Sequence, residues 1–424
     1  MLTGLYPDST GIYANSIIFR QTIPSHHSLS QSFRNDGYFA GRIGKLYHYN
    51  VPNSIGTNGH DDPGSWELEL NPAGCDRLLE EGEIFSMVPG SFGGVVSWLA
   101  SKRDDPQHTD SLLADDAIWV LERMANQKKN PAKDKPFFLA VGFYRPHTPY
   151  VAPEKYFEPY PLEEMPYVPL EEAKRQWPNA PKAAFGSFSD FQNRMTEDHH
   201  RAALQAYYAS VSFMDAQVGR VLDALETLGL ADDTIVVFTS DHGYHLGDHG
   251  LWQKRSLFEQ SARVPLIIAA PGMPKAQVVT EPVGLVDLHP TLTSLCSVKP
   301  RGKLKPQGQD LAPMLRDSSS TGRGYALTQV DRGGNRKNKP AMGYSIRTPR
   351  YRYTQWASGE AGHELYDYET DPEETQNLAD MPEHAELVEK LRRQLADAID
   401  QSRPASGETP KVGPNEWAPN LTAP

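Results

Sequence analysis

Residues 234–254 constrain the fold of this chain more than any other part of its sequence. The segment opens with a short apolar run, residues 235–238, in which polar and apolar residues do not alternate. Such a run predicts a strand buried on both faces, as in a parallel sheet. Asp241 and His242 follow the run almost at once. Because α/β folds place their chemistry at the carboxyl ends of parallel strands, the sequence predicts a site there.

The rest of the chain supports an α/β fold with a large, mostly parallel sheet flanked by helices. Residues 202–228 have the strongest helical spacing of apolar side chains and lead directly into the run at 235–238, which is typical of a βαβ unit. The same patterns predict further elements: strands at 38–43, 136–143 and 264–270, and helices at 30–35, 109–126 and 287–295.

The chain of 424 residues is long enough for one large domain and a smaller one. We expect an α/β domain over residues 1–322 and a C-terminal α+β subdomain over 323–401, followed by a disordered tail at 402–424. The subdomain is predicted from a hairpin at 343–356, a strand at 363–368 and a helix at 383–400. Two segments without periodicity are interpreted as surface loops (49–107) and as a lid or substrate-shaping insertion (152–196).

Composition excludes several classes of function. The formal charge of −12 argues against a nucleic-acid partner, because proteins that bind nucleic acids do so through an excess of basic residues. There is no apolar run long enough to span a membrane and no signal peptide in the sequence. Two cysteines are too few for a disulfide framework or a cysteine-based zinc site. Cys75 and Cys296 either form one disulfide or remain two free, buried thiols.

Polar groups follow three of the predicted strands. Lys45 and His48 follow the first, His147 lies between two prolines after the second, and Asp241 with His242 follows the third. Sheet topology brings such loops into one crevice, so we expect these residues to act together. Three of them have a simpler interpretation: Lys45 as a solvated surface charge, His48 as a structural histidine and Asp241 as a helix cap. His147 has no obvious packing role between its two prolines, which favours a function.

The residues after His242 are more ambiguous. Tyr244 and His245 are candidates for substrate binding, or alternatively rim residues. The turn at 248–250 has the role of presenting Lys254, a candidate for holding an anion.

An adjacent carboxylate and imidazole supply an oxygen and a nitrogen ligand for a divalent cation. Without thiolates, a hard or borderline ion such as Ca²⁺ or Mg²⁺ is expected rather than a structural zinc. Two ligands do not close a coordination shell, so others must come from elsewhere. A cation together with Lys45, Lys254 and two histidines suits a tetrahedral oxyanion such as sulfate or phosphate.

These motifs resemble those of the sulfatases in the alkaline-phosphatase superfamily, and most of all the iduronate-2-sulfatase group with its bacterial relatives. The resemblance covers nearly the whole chain. It is carried by LTGLYPDSTG (2–11), GKLYH (44–48), FFLAVGFYRPH (137–147), YASVS (208–212), FTSDHG (238–243), GYSIRT (343–348) and YRYT (351–354). The FTSDHG motif alone indicates only the superfamily. The combination of all seven motifs is highly specific.

The resemblance implies a hydrolase that cleaves sulfate esters on sugars. By it, Asp241 and His242 are ligands of Ca²⁺, and Lys45 and His48 contact the sulfate and the nucleophile. His147 acts at the leaving-group oxygen, and Lys254 binds a sulfate oxygen. The partner is a sulfated saccharide; the oligomeric state stays open.

The sequence departs from the family at the nucleophile. Family members use a formylglycine made from cysteine in a Cys-x-Pro-Ser-Arg motif, with an Asp-Asp pair further upstream, and neither motif occurs here. We expect both in a segment preceding Met1, together with an export signal to the periplasm or exterior and processing by a formylglycine-generating or equivalent enzyme. The 424-residue chain is then expected to fold poorly and to lack sulfatase activity. Strong hydrolysis of an aryl sulfate by the purified chain would contradict this expectation.

Two other functions stay open at this point. A phosphodiesterase or phosphonate monoester hydrolase of the same superfamily would use similar metal and lysine groups. A non-catalytic protein that binds sulfated glycans would need no nucleophile. The sugar, the position of its sulfate and exo or endo action are not encoded in the motifs.

Overall fold

The computed structural model describes all residues except 16, 49, 131, 133, 301, 334–340 and 413–424. It is a mixed α/β fold, as predicted. Its strands are β1 (Phe39–Gly44), β2 (Leu68–Leu70), β3 (Phe85–Ser86), β4 (Ser97–Ser101), β5 (Phe137–Gly142), β6 (Tyr150–Pro153), β7 (Val236–Thr239), β8 (His245–Leu246), β9 (Trp252–Gln253), β10 (Leu266–Ala269), β11 (Ala326–Arg332), β12 (Ala341–Arg347), β13 (Tyr351–Trp356) and β14 (His363–Asp367).

The helices predicted at 30–35, 109–126, 202–228, 287–295 and 383–400 are present to within five residues at each end. The helices of the described residues include several shorter ones that were not predicted with a range. They are α1 (Pro7–Thr10), α2 (Phe19–Thr22), α3 (Leu29–Asn35), α4 (Cys75–Leu78), α5 (Thr109–Lys128), α6 (Leu170–Ala173), α7 (Glu197–Thr227), α8 (Glu259–Ala262), α9 (Leu288–Leu295), α10 (Ala312–Arg316) and α11 (Ala385–Ser402). In the part of the chain that the structure describes, no helix combines the length and the apolar character that crossing a membrane requires.

Two compact units are formed, and each combines segments that are distant in sequence. The first unit contains residues 1–29, 168–189 and the described residues from 235 onward. The second contains residues 30–167 and 190–234. Because this division does not follow the chain linearly, the domain boundary at residues 322 and 323 stays a prediction.

The second unit is built on a parallel sheet with the strand order β2-β1-β5. β1 and β5 are in register from Phe39 opposite Phe137 to Gly44 opposite Gly142. The guanidinium of Arg42, fully buried within β1, forms an ion pair with the carboxylate of Asp61. Buried charges are retained only when paired, so this ion pair fixes the loop after β1 against the strand.

Helix α5 packs against β1 and β5 and also against α7. The apolar stripe predicted for α5 is confirmed, since its members are all buried: Leu113, Ala117, Val120, Leu121 and Met124. Helix α7 begins five residues before the predicted helix, at Glu197. Thr196 caps it by accepting a hydrogen bond from the backbone nitrogen of His199 at 3.3 Å.

The strands of the first unit differ from the prediction in direction and burial. β7 and β10 pair with each other in antiparallel fashion, with Leu266 opposite Thr239. β7 is half-buried, and alternate residues of β10 are exposed, with Ile267 at 61%. Antiparallel pairing allows one face to remain open to solvent. A four-residue apolar run does not specify its neighbour's direction, so the expectation of two doubly buried parallel strands was wrong here.

The C-terminal part of the first unit is an antiparallel sheet with the order β11-β12-β13-β14, covered by α11. This confirms the predicted antiparallel sheet with a terminal helix. Leu391 and Leu395 of α11 are buried against Ile346 and Tyr353 of the sheet. Part of the predicted disordered tail, residues 413–424, lies outside the described residues.

The described start of that tail contacts the N-terminal segment instead. Ser402 is buried, and its carbonyl accepts a hydrogen bond from Ser9 Oγ at 3.0 Å. A Cβ atom on Gly11 would lie 2.1 Å from the carbonyl oxygen of Pro410, so glycine is needed for this close approach. Ser402 and Pro410 therefore pack against the N-terminal segment, whereas residues 405–408 between them are exposed.

Residues 49–107, interpreted as loops, contribute short strands as well. β2 extends the parallel sheet beside β1, and β4 pairs in parallel with β6. Strands of three to five residues carry too few apolar positions to show periodicity. Both cysteines are free thiols; Cys75 is buried and Cys296 half-buried.

Candidate functional site

Lys45 and the loop carrying His147 leave the same edge of the second unit's sheet. Lys45 directly follows β1, and residues 143–149 follow β5, the adjacent parallel strand. The backbone nitrogen of Lys45 donates to the carbonyl of Gly142 at 2.8 Å. A Cβ atom on Gly142 would lie 1.7 Å from the carbonyl oxygen of Lys45, so only glycine allows this contact. The predicted convergence of these two strand ends is present.

His48 belongs to the same group of residues. Its side chain is half-buried, and its ring centroid lies 6.1 Å from that of His60. Two imidazoles therefore lie close together in the loop that follows Lys45.

Buried charges that sequence reasoning missed hold the loop of His147. Both oxygens of Asp110, at the start of α5, accept backbone hydrogen bonds, from Tyr144 and from Arg145, each at 2.9 Å. The Arg145 guanidinium is buried, forms an ion pair with Asp76 and donates to the carbonyl of Pro149 at 2.9 Å. Both ends of the loop are thus fixed to α4 and α5 by paired buried groups.

Asp110 has a perturbed acidity because of this position. Burial raises the pKa of its carboxyl to about 6, against the opposing effect of the Arg145 charge. The two backbone donors also favour the ionised form. The group is an acceptor that fixes the loop through both of its oxygens.

His147 is oriented by its own backbone. Its Nδ1 lies 2.7 Å from the carbonyl oxygen of Thr148, which only accepts, so Nδ1 carries the proton. The neutral ring then has its lone pair on Nε2, and the half-buried imidazole is able to exchange a proton there. Thr148 Oγ1 in turn donates to the carbonyl of Val95 at 2.7 Å. A histidine held in this way suits general acid–base chemistry.

Asp241 and His242 lie directly after β7 in the first unit. Asp241 Oδ1 and His242 Nε2 are 3.5 Å apart. His242 Nδ1 lies 2.8 Å from the carbonyl oxygen of Gly243 and therefore carries the proton, which directs the Nε2 lone pair toward the carboxylate. A carbonyl that fixes the distal nitrogen is the usual support of a metal-binding histidine.

Close packing of Gly243 fixes this pair. A Cβ atom at this position would lie 2.2 Å from the carbonyl oxygen of Gln260 and 2.6 Å from that of Arg263. The backbone nitrogen of Gly243 donates to Ser261 at 2.9 Å. Helix α8 and the residue that follows it thus hold the Asp-His pair against the end of β7.

The donor set fits part of a divalent-cation site. One carboxylate oxygen and one imidazole nitrogen lie close enough to share an ion, and Asp241 is exposed. Such an ion would supply positive charge to the oxygens of a bound anion. The two residues provide only part of a coordination shell, so further ligands are needed to complete it.

Lys254 follows the short hairpin of β8 and β9, in which His245 is opposite Gln253. Its two neighbours have unusual backbone conformations, with φ of 72° at Gln253 and 74° at Arg255. Residues other than glycine adopt positive φ at a cost, and such positions concentrate at functional sites. The strain on both sides of Lys254 supports a role for its position.

His245 differs from its expected role. It is fully buried, and its Nε2 lies 2.6 Å from Ser256 Oγ. Burial, with a smaller contribution from His249, lowers its pKa to about 3. In this conformation the side chain has no access to a substrate, so it supports the hairpin instead. Tyr244 is half-buried and remains the better candidate for substrate contact.

Residues 168–189, from the predicted lid, pack beneath the same hairpin. Gln176 Nε2 lies 2.6 Å from His249 Nδ1, and Trp177 Nε1 donates to the His249 carbonyl at 2.8 Å. His249 stacks on Phe258 with centroids 4.1 Å apart. The first-unit part of the insertion thus supports the turn that precedes Lys254.

Comparison with protein families decides the identity of this architecture. Residues 1–298 match the family model described as Sulfatase. The chain belongs to the sulfatase family. Residues 247–401 of this sulfatase also match the model described as N-sulphoglucosamine sulphohydrolase, C-terminal.

Relatives agree with this assignment. Iduronate 2-sulfatase from Mus musculus is 30% identical over 471 residues, covering 92% of this chain and 83% of the relative. Among solved structures, phosphonate monoester hydrolase of Agrobacterium radiobacter has a TM-score of 0.72 at 24% identity, covering 95% of this chain and 85% of its own. A protein solved with its substrate D-glucosamine-2-N,6-O-disulfate has a TM-score of 0.68 at 20% identity, covering 95% and 86%. At these identities the two structures establish the shared fold.

Proposed function

We propose that this sulfatase-family protein acts on the sulfate ester of a sugar, in the manner of the iduronate-2-sulfatase group. The observation that carries the proposal is the position of Lys45 and His147 at the ends of adjacent parallel strands, with the His147 loop fixed by buried charges. The 30% identity to an iduronate 2-sulfatase over 92% of the chain supports a sulfated saccharide as substrate.

Each residue has a proposed role in this reaction. Lys45 and Lys254 hold sulfate oxygens as point charges, and His48 contacts the same group. His147 in its imidazolium form protonates the leaving sugar oxygen from Nε2, which leaves a neutral ring with its proton on Nδ1. Asp241 and His242 hold Ca²⁺, or less favourably Mg²⁺, which would offset charge on the sulfate. Tyr244 contacts the sugar.

The family's nucleophile is not supplied by either cysteine of this sequence. Burial raises the pKa of the Cys75 thiol to about 12, so it stays protonated at neutral pH. Cys296 precedes Ser297 and Val298, which does not match Cys-x-Pro-Ser-Arg. The proposed roles of this chain's residues therefore concern binding, charge and proton transfer, and they are tested by binding.

The test titrates the chain calorimetrically, with Ca²⁺ present, with a 2-O-sulfated uronic-acid oligosaccharide and with its unsulfated counterpart. We expect the unsulfated sugar to bind at least about 10-fold more weakly, since it lacks the charge-assisted hydrogen bonds of sulfate. Lys254→Gln should cause a similar loss for the sulfated sugar. Arg255→Gln is the matched control, because it removes a cation from the next, exposed position.

The outcomes separate the alternative functions. Equal affinity for both sugars would overturn the proposal. Tighter binding of a phosphonate monoester than of the sulfated sugar would favour the phosphonate monoester hydrolase activity, whose fold this chain shares. Binding of sulfated glycan that is unaffected by chelation and by Lys254→Gln would favour a non-catalytic binding protein.

A further inference from the structure

Three buried side chains of the second unit come together, and none of them has a role assigned above. They are Cys75 at the start of α4, Glu80 just beyond that helix, and His108 directly before α5. One ligand atom from each lies within 4.8 Å of the others. We infer that Cys75, Glu80 and His108 form a zinc-binding site that links α4 to the start of α5.

The backbone brings these residues together through a contact that only glycine permits. A Cβ atom on Gly74 would lie 2.5 Å from the carbonyl carbon of His108 and 2.3 Å from the backbone nitrogen of Thr109. Gly74 also donates its N–H to Thr109 Oγ1 at 2.9 Å. The nitrogen of Glu80 donates to the carbonyl of Cys75 at 3.0 Å, which folds Glu80 back toward the thiol.

Two atoms of the cluster have no hydrogen-bond partner among the described residues. They are Glu80 Oε2 and His108 Nδ1, on side chains that are 2% and 1% exposed. The weak donor beside them is the Cys75 thiol, whose hydrogen bond to Glu80 contributes to its raised pKa. Buried polar atoms are nearly always satisfied, so His108 Nδ1 above all needs a partner. A bound cation would satisfy both.

The remaining atoms of the same side chains are occupied in a way that suits a metal. Glu80 Oε1 accepts a hydrogen bond from Ser101 Oγ at 2.6 Å. His108 Nε2 faces the carbonyl oxygen of Arg103 at 3.4 Å, which favours the proton on Nε2 and the lone pair on Nδ1. Burial lowers the pKa of His108, which keeps the ring neutral and available as a ligand. This is the usual arrangement around a metal-bound histidine.

Ligand chemistry selects the ion. A thiolate and an imidazole favour Zn²⁺ over the hard cations Ca²⁺ and Mg²⁺, and a carboxylate completes three ligands with one position for water. The charges of one thiolate and one carboxylate balance those of the ion, and the partly exposed Arg103, whose Nε lies 3.4 Å from Glu80 Oε1, adds one positive charge beside the site. Without metal, burial and the charges of Glu80 and Asp76 keep the thiol protonated. Binding therefore exchanges one thiol proton for one Zn–S bond, and the proton leaves to the buffer.

The expected consequence is structural. Asp76, the residue after Cys75, accepts from the nitrogen of Thr109 at 2.8 Å and pairs with Arg145. An ion at Cys75 and His108 would thus fix the two helix ends that hold the His147 loop. The cysteine count argued only against zinc sites built from several cysteines, for which two cysteines are too few. A site with one cysteine, one glutamate and one histidine at positions 75, 80 and 108 has no recognisable spacing, so nothing in the sequence indicated it.

The test uses the full chain, freed of metal, with Co²⁺ as a spectroscopic probe for Zn²⁺. We expect one equivalent to give a near-ultraviolet thiolate-to-cobalt charge-transfer band, and Zn²⁺ to abolish it. Cys75→Ser should remove the band and weaken Zn²⁺ binding by more than about 100-fold, since even loss of an outer partner costs 10- to 100-fold. Cys296→Ser, which removes the other thiol, should leave both unchanged.

A second measurement needs no variant and so does not depend on whether Cys75→Ser folds. Alkylation of Cys75 in mild urea with saturating Ca²⁺, followed by mass spectrometry, should slow further when Zn²⁺ is added. Absence of the charge-transfer band, its persistence in Cys75→Ser, or equal alkylation with and without Zn²⁺ would each overturn the inference.

Discussion

The carboxylate of Asp110 accepts a hydrogen bond from the backbone nitrogen of Arg145 at 2.9 Å, and both residues are buried. The other oxygen accepts from Tyr144, so one side chain at a helix start determines where the loop of His147 begins. The position of a candidate acid thus depends on a residue that makes no contact with a reactant. Asp110 is a positioning residue in this sense.

Asp110→Asn tests that dependence. Asparagine retains one acceptor oxygen and would direct an amide donor toward a second backbone donor. We expect a loss of about 1–3 kcal/mol in the free energy of unfolding, because a buried N–H is left unsatisfied. The measurement is urea unfolding at pH 7, followed by titration with sulfated sugar, whose affinity should also fall.

Asp115→Asn is the matched control in the same helix. Asp115 is 49% exposed and pairs with Arg220, so its loss should cost less than about 1 kcal/mol. Equal effects of the two substitutions would mean that the loop does not depend on Asp110.

The sequence predicted the strand ends that carry Lys45, His147 and Asp241, because apolar runs followed by polar residues are a local signal. It did not predict what holds them. Asp76 and Arg145 are 69 residues apart in sequence, and no local pattern connects them. An arginine between tyrosine and proline gives no sign that its guanidinium is buried. Long-range ion pairs of this kind became visible only in the fold.

The surroundings of Gly243 and Gly219 predict opposite effects on stability when each is replaced by alanine. In Gly243→Ala, the new methyl group would lie 2.2 Å from a backbone oxygen, so the Asp241–His242 turn must move. We expect a loss of about 1–3 kcal/mol or more in stability. In Gly219→Ala, within α7, the methyl group meets nothing within 4 Å and should add about 0.5–1 kcal/mol. Thermal unfolding of both variants checks this, and a stable Gly243→Ala would contradict it.

The calcium binding proposed for Asp241 and His242 predicts ligand-linked stability. At a Ca²⁺ concentration 100-fold above Kd, the free energy of unfolding should rise by about 2.7 kcal/mol. Asp241→Asn should remove most of this gain, and Asp232→Asn, at an exposed carboxylate before β7, should retain it. The measurement is thermal unfolding in zinc-free buffer with Ca²⁺ or with a calcium chelator. The same Ca²⁺ effect in both variants would exclude Asp241 as a ligand.

Burial and strand direction were the least predictable features, because both depend on tertiary packing. The burial of His245, which was predicted to contact the substrate, was missed for the same reason. A residue beside Asp241 and His242 in sequence seems available to the same ligand, yet the hairpin of β8 and β9 turns its side chain into the interior. Whether a side chain faces inward depends on what the turn packs against, here Phe258 and Ser256. That information is tertiary.

The pH dependence of stability tests the buried position of His245. Its pKa is about 3 when folded, against an ordinary value of 6.5, so between these values the unfolded chain binds more protons. Stability must then rise with pH in this range and fall as the pH drops below 6.5, by up to about 1.4 kcal/mol per unit from this residue. Urea unfolding at pH 7 and pH 5 measures the difference. His245→Gln retains a hydrogen bond to Ser256 but cannot titrate, so its loss between the two pH values should be smaller by about 2 kcal/mol. Other buried histidines contribute equally to both proteins and cancel in this comparison. An unchanged pH dependence in His245→Gln would mean that the imidazole is solvated, and would return His245 to the candidates for substrate binding.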